Sequence, residues 1–240
     1  MSYETNHNIV VTDLARGDDE AAVVWIMGAA SGSGMPHSFV SAFGNRSTAV
    51  CGMNLLQLIP EANKRLKNPL NQVPQVVFGT DRPHGKRYPY LLSTDAIEYQ
   101  IHGDMGNDHY DRSQKRFYNN SVTLYKRIAK DGQKKVSMLS LGATSELPTS
   151  LTLLKTRLKA LFIMGGVLHL QGNTDPNQEA NFRHDPAATI KTFELAQKYG
   201  VPIILIPIDV SEQEGVIVTQ DRLKYLADKL GNNYGMQVLL

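Results

Sequence analysis

The chain has a single cysteine, Cys51, among its 240 residues. One thiol excludes an internal disulfide framework and any metal centre built from several cysteines; it reads as a small buried apolar residue. Long hydrophobic runs are missing too. No stretch approaches the roughly 20 apolar residues a membrane helix needs, and the opening MSYETNHN is polar, unlike the apolar core of an export signal. Charge of one sign is also scarce: Lys plus Arg number 25 against 23 Asp plus Glu. The basic residues are spread out, so nucleic acid is not the expected partner. No internal repeat and no low-complexity tract is visible. These absences leave the expectation of a soluble, cytoplasmic chain with neither membrane nor nucleic acid as partner, and the length suits one large domain with a proper core.

Apolar strand-like runs recur along that length: NIVV, SFVSAF, QVVF, VSMLSL, ALFIMGGVL and VPIILIPIDV. Between them lie helix-like stretches: AAVVWIM, which reads as a buried helix, STAVCGMNLLQLIPEANKRL, PTSLTLLKTRL, DPAATIKTFELAQKYG and TQDRLKYLADKLG. The alternation predicts an α/β fold, a mainly parallel sheet flanked by helices. Strands apolar throughout suit a sheet buried on both faces. Residues 79–135 stand apart, being polar and weakly periodic, and read as a long functional loop or lid.

Polar clusters follow nearly every strand: GNRST, GTDRPHGKRYPY, GATSEL and HLQGNTDPNQEANFRHDP. In a parallel sheet they gather at the C-terminal strand edge, where such folds bind ligands. The segment NIVVTDLARGDDEAAVVWIM adds Asp13, Asp18 and Asp19 to that edge. Two readings stand side by side. Aspartates and glycine make an ordinary solvated turn, and carboxylates favour a helix N-terminus. Alternatively, converging acidic oxygens suit a hard cation such as calcium or magnesium. Asn45, Glu179 and Asn181 carry groups that bind vicinal hydroxyls, although each also suits a loop or cap. His102, in IHGDMG, could donate a proton or merely be solvated.

In order, VTDLARGDD, FGN with Asn54 and Leu55, GTDRP, IHGD, LGATSEL, IMGG, GNTDPNQEANFRHDPAA and VPIILIPIDV resemble the inosine-uridine preferring nucleoside hydrolase family. The resemblance runs from about residue 8 to 210 and implies a single nucleoside-hydrolase-like domain, Rossmann-like, over residues 1–240. It implies hydrolysis of the N-glycosidic bond of a ribonucleoside by a calcium-bound water, giving free base and ribose. By position, Asp13, Asp18, Asp19 and Ser145 would hold Ca2+, with Asp13 also the base. Asn45, Met164, Glu179 and Asn181 would hold the ribose, and a homo-oligomer is implied. Attack at the anomeric carbon passes through a cation-like sugar, which nearby carboxylates stabilise.

Two features depart from the family pattern. Four residues, Leu14 to Gly17, separate Asp13 from Asp18 where the family has three. The chain also ends at Leu240, before the segment in which family members carry a His-Asp pair. The HDP at 184–186 sits at a helix start and does not stand for that pair. A non-catalytic member binding a ribose-containing ligand or a protein partner is therefore the alternative expectation.

Overall fold

The computed structural model of the chain describes residues 6–15, 18–29, 36–65, 73–80, 120–131 and 135–214, with scattered positions from 216 to 228. Six parallel strands make one sheet: β1 (Asn6–Thr12), β2 (Ser38–Ser41), β3 (Gln75–Phe78), β4 (Lys135–Ser140), β5 (Leu158–Met164) and β6 (Ile203–Ile206). The order across the sheet is β3-β2-β1-β4-β5-β6. Every predicted strand run is present, although β6 stops at Ile206 and the end of its run turns into a short helix, α7 (Ile208–Ser211).

Alternation along β1 explains the two-sided core. Ile9 and Val11 join Val40, Met138, Leu147, Leu151 and Leu195 in one buried cluster, while Val10 joins Leu14, Val23, Met27, Phe39, Leu55 and Leu58 in another. Successive side chains of a strand point to opposite faces, so a strand covered by helices on both sides must be apolar throughout. Helices α1 (Asp18–Ala29) and α2 (Thr48–Arg65) supply the second cluster. The first receives α3 (Ser121–Lys130), α4 (Leu147–Leu154) and α6 (Pro186–Tyr199).

Helix ends follow local chemistry. Asp185 caps α6 by accepting the Ala188 N–H, Pro186 occupies the first turn, and Gly200 ends the helix in the left-handed conformation with φ 65°. These are the cap, proline and glycine positions that favour a helix of this length. Two expectations change. The region 79–135 is not loop throughout, because α3 lies within it, with Leu124, Tyr125 and Ile128 buried on one side. α1 is not buried all round: Val23 and Met27 face the core while Trp25 is 75% exposed. The helix expected over TQDRLKYLADKLG and the rest of the 79–135 region fall largely outside the described residues. No helix among the described residues is long and apolar enough to cross a membrane.

The strand order reverses direction at β1 and β4, which are neighbours although far apart in the chain. The loops leaving their C-terminal ends flank the position where such sheets form the ligand crevice.

Candidate functional site

Asp13 follows the last residue of β1 and is 2% exposed. Its Oδ2 accepts the Asn45 backbone N–H at 2.7 Å. Gly44 and Gly142, from the loops after β2 and β4, close on it from two sides. A Cβ on Gly44 would overlap Asp13 Oδ2, and one on Gly142 would overlap Asp13 Oδ1. Only a residue without a side chain permits so close an approach.

Asp19 lies in the first turn of α1 and is also buried. Its Oδ1 accepts the Thr12 hydroxyl at 2.6 Å, and its Oδ2 accepts the Asn45 side-chain N–H at 3.0 Å. Asn45 thus holds two carboxylates at once, one with its backbone and one with its side chain. Asp18, at the start of α1, is exposed. From α2, the Asn54 side-chain N–H donates to the Leu14 carbonyl at 3.0 Å and fixes the chain just past Asp13. Cys51 is buried as expected, and after burial itself the nearby Asp13 and Asp19 charges push its thiol up.

Electrostatics show what this arrangement costs. Burial pushes the Asp13 carboxyl well above its ordinary range, and the neighbouring Asp19 and Asp18 charges push the same way. Burial raises Asp19 to about 6, with Asp18 adding to it and the Thr12 and Asn45 hydrogen bonds opposing. Carboxylates drawn together out of water disfavour their charged forms. A hard cation would relieve both strains, so the donor chemistry fits one. Among the described residues, however, no three His, Cys, Asp or Glu side chains converge as a ready cage.

Across the crevice, the loop after β5 returns to α5 (Ala180–His184). Glu179 caps this helix and is 2% exposed. Its Oε1 accepts the Asn181 N–H at 2.8 Å; its Oε2 accepts those of Phe182 at 3.1 Å and Gly166 at 2.8 Å. The Asn181 side-chain N–H group donates to the Leu141 carbonyl at 2.8 Å and to Met164 at its carbonyl, 3.1 Å, and sulfur, 3.2 Å. Leu141 precedes Gly142, the wall of Asp13, so the two halves of the crevice meet at that loop.

Ser145 lies buried in a short turn before α4, and its hydroxyl donates to Asp185 Oδ2 at 2.6 Å. The structure therefore brings Asp13, Asp19 and Asn45 together, and separately Met164, Glu179 and Asn181, with Ser145 tied to the start of α6. His102 and Arg16 lie outside the described residues.

Several contributors escaped the sequence reading. Thr12, Gly44, Gly142 and Asp185 orient the aspartates and the Ser145 turn, yet their partners are mostly distant in sequence. Glu146, also buried, accepts the Thr80 N–H at 2.7 Å and its hydroxyl at 2.8 Å, and burial raises its carboxyl. Asn173 accepts the Ala180 N–H at 2.9 Å, between the two predicted ribose residues. Its place in GNTDPNQEAN was the available signal.

Solved structures share this fold at low identity. A plant nucleoside hydrolase, PpNRh1, superposes with TM-score 0.66 and 18% identity, over 93% of this chain and 65% of that one. A purine-preferring ribonucleoside hydrolase from Gardnerella vaginalis gives 0.66 and 19%, over 97% and 69%. The type III effector protein XopQ, solved in complex with adenosine diphosphate ribose, gives 0.58 and 15%, over 100% and 66%. The chain thus spans about two thirds of the length of these proteins. No curated protein matches the sequence significantly. The model of the family described as inosine-uridine preferring nucleoside hydrolase matches residues 9–239, nearly the whole chain, and the protein belongs to that family.

Proposed function

We propose that the protein hydrolyses the N-glycosidic bond of a ribonucleoside or related N-riboside, releasing free base and ribose, in a calcium-dependent reaction. The observation that carries this reading is the Asn45 bridge, which holds buried Asp13 and Asp19 side by side at the sheet's switch point. Clustered carboxylates are costly as mere scaffold. Asp13, Asp18 and Asp19, with the Ser145 carbonyl, are the groups that would hold calcium. When bound, calcium would lower the pKa of the attacking water and fix the sugar hydroxyls.

The chain's own residues supply the rest. Asp13, anchored by the Asn45 N–H and walled by Gly44 and Gly142, would take the water's proton. Asn45, Glu179 and Asn181 would orient the ribose hydroxyls, with Met164 lining the sugar. Negative charge beneath the ring favours the cation-like sugar of the transition state. His102 is proposed as the group that serves the departing base. We further propose a cytoplasmic homo-oligomer; light scattering on the purified protein checks the assembly.

The test is release of free base from inosine and uridine at high enzyme concentration, with calcium and with chelator. Calcium-dependent release that Asp13→Ala abolishes supports the reading; no release from any ribonucleoside overturns it. A second reading, a non-catalytic binder of a ribose-containing ligand, is favoured by the exposure of Asp18 beside the buried Asp13 and Asp19. The XopQ structure with adenosine diphosphate ribose shows that a protein of this fold is able to hold such a ligand. Binding of adenosine diphosphate ribose without turnover of any ribonucleoside would support it.

A further inference from the structure

One carboxylate outside the crevice is used more heavily than its surface position requires. Asp209, in the first turn of α7, accepts three consecutive backbone N–H groups from the loop after β5. Its Oδ2 accepts from Leu168 at 2.8 Å, and its Oδ1 accepts from His169 at 2.6 Å and Leu170 at 3.1 Å. Chiefly through the Leu168 and His169 amides, the loop holds the Asp209 carboxyl below the ordinary carboxylate range.

The same loop is pinned again one step earlier. The Gly165 N–H donates to the Ile206 carbonyl at 3.1 Å, and the Ile208 N–H donates to the Gly166 carbonyl at 3.0 Å. Gly166, at φ 81°, turns its own N–H to Glu179 Oε2 at 2.8 Å. Its left-handed conformation is one that a side chain resists. The loop is therefore slung between two carboxylates: Glu179, which ends it, and Asp209, which comes from the next crossover. Between them they take the N–H groups of Gly166, Leu168, His169 and Leu170.

We propose that Asp209 is a positioning residue that fixes the backbone of residues 166–170 and, through Gly166, the orientation of the Glu179 carboxylate in the ribose half of the crevice. This rests on the proposed hydroxyl-binding role of Glu179. Charge-assisted hydrogen bonds to backbone N–H groups are the strong ones, and three on one carboxylate leave little freedom to the segment that donates them. Removing that carboxylate frees three adjacent amides and leaves the loop's anchorage to the Glu179 and Ile208 bonds at Gly166.

The experiment compares the full chain with Asp209→Ala and Asp209→Asn. Hydrogen exchange is read at residues 166–170 and across β1, and calorimetry is run with calcium and with ribose. In Asp209→Ala, the amides of Leu168, His169 and Leu170 should exchange at least about tenfold faster while β1 is unchanged. Ribose affinity should fall about tenfold, the size of one hydrogen bond to a charged group, with calcium affinity retained. Asp209→Asn, which keeps one acceptor oxygen, should fall between. A merely structural defect would move calcium and ribose binding together, so the split identifies positioning.

Unchanged exchange at 168–170, or faster exchange with ribose affinity intact, overturns the proposal. If the parent protein binds neither calcium nor ribose, it is the functional reading that fails. Hydrogen exchange then still decides the positioning: it stands if the faster exchange reaches Gly166 and falls if that amide is unaffected.

Discussion

The two halves of the crevice use carboxylates in opposite ways. At the β1–α1 junction, Asp13 and Asp19 are buried together and pushed toward their protonated forms. At the β5–α5 junction, Glu179 is equally buried but receives three backbone N–H groups. Burial is the same in both places, and the difference lies in the partners. A carboxylate given enough donors has its charge stabilised when the chain folds, whereas two carboxylates buried together carry a cost that the proposed cation would offset. One half is preorganised by its own backbone, and the other is buried at a cost to the fold.

The largest expected effect would break the acidic half. Asp13→Ala should reduce ribonucleoside hydrolysis by about a hundred- to ten-thousandfold, the usual contribution of a placed general base, as read by free-base release at saturating calcium.

The next separates the halves by pH. His184, on α5, is buried, and its pKa is lowered from 6.5 to about 4, by burial first and then by Arg183. The unfolded chain therefore binds this proton before the folded one does. Stability should fall as pH drops from 6.5 toward 4, by up to about 3 kcal/mol. Asp19 runs the other way: its raised pKa stabilises the fold below 3.8, and that contribution is lost as pH rises through about 6. Chemical denaturation of His184→Asn across this window should show the His184 loss removed.

At pH 7 the same sign makes Asp19 a burden in the metal-free protein. Asp19→Asn should stabilise it by up to about 3 kcal/mol, an amount set by a raised carboxylate pKa, while weakening calcium binding. Glu179→Ala should do the reverse. Losing a helix cap costs about 1 kcal/mol, and ribose binding should weaken with calcium binding unchanged. Thermal melts paired with calorimetry check both variants.

Much of the fold was legible because the central strands are covered on both faces and are largely apolar. NIVV, QVVF and VSMLSL announce themselves for that reason. The caps of α6 were equally plain in DPAA and the later Gly200. α3 was obscured because ten helical residues with one narrow buried stripe stand among polar neighbours. The run AAVVWIM suggested a helix buried all round, yet Trp25 within it is exposed.

In the site, the residue types were readable but their wiring was not. Asp13 meets Asn45 across 32 positions and Ser145 meets Asp185 across 40, so no local pattern encodes either contact. Gly44 and Gly142 matter through the space they leave, which only the assembled sheet reveals. Glu179 was read as a group for sugar hydroxyls or a cap; that it caps α5 and also takes the distant Gly166 N–H emerged only with the fold.

Calcium calorimetry on chelator-stripped protein at pH 7, for the parent chain and Asp19→Asn, tests the central contrast most directly. The account predicts that the parent binds calcium and that Asp19→Asn binds it far more weakly while melting at a higher temperature. A parent chain that binds no calcium, or a variant that melts lower, would contradict the claim that the acidic half is built to await a cation.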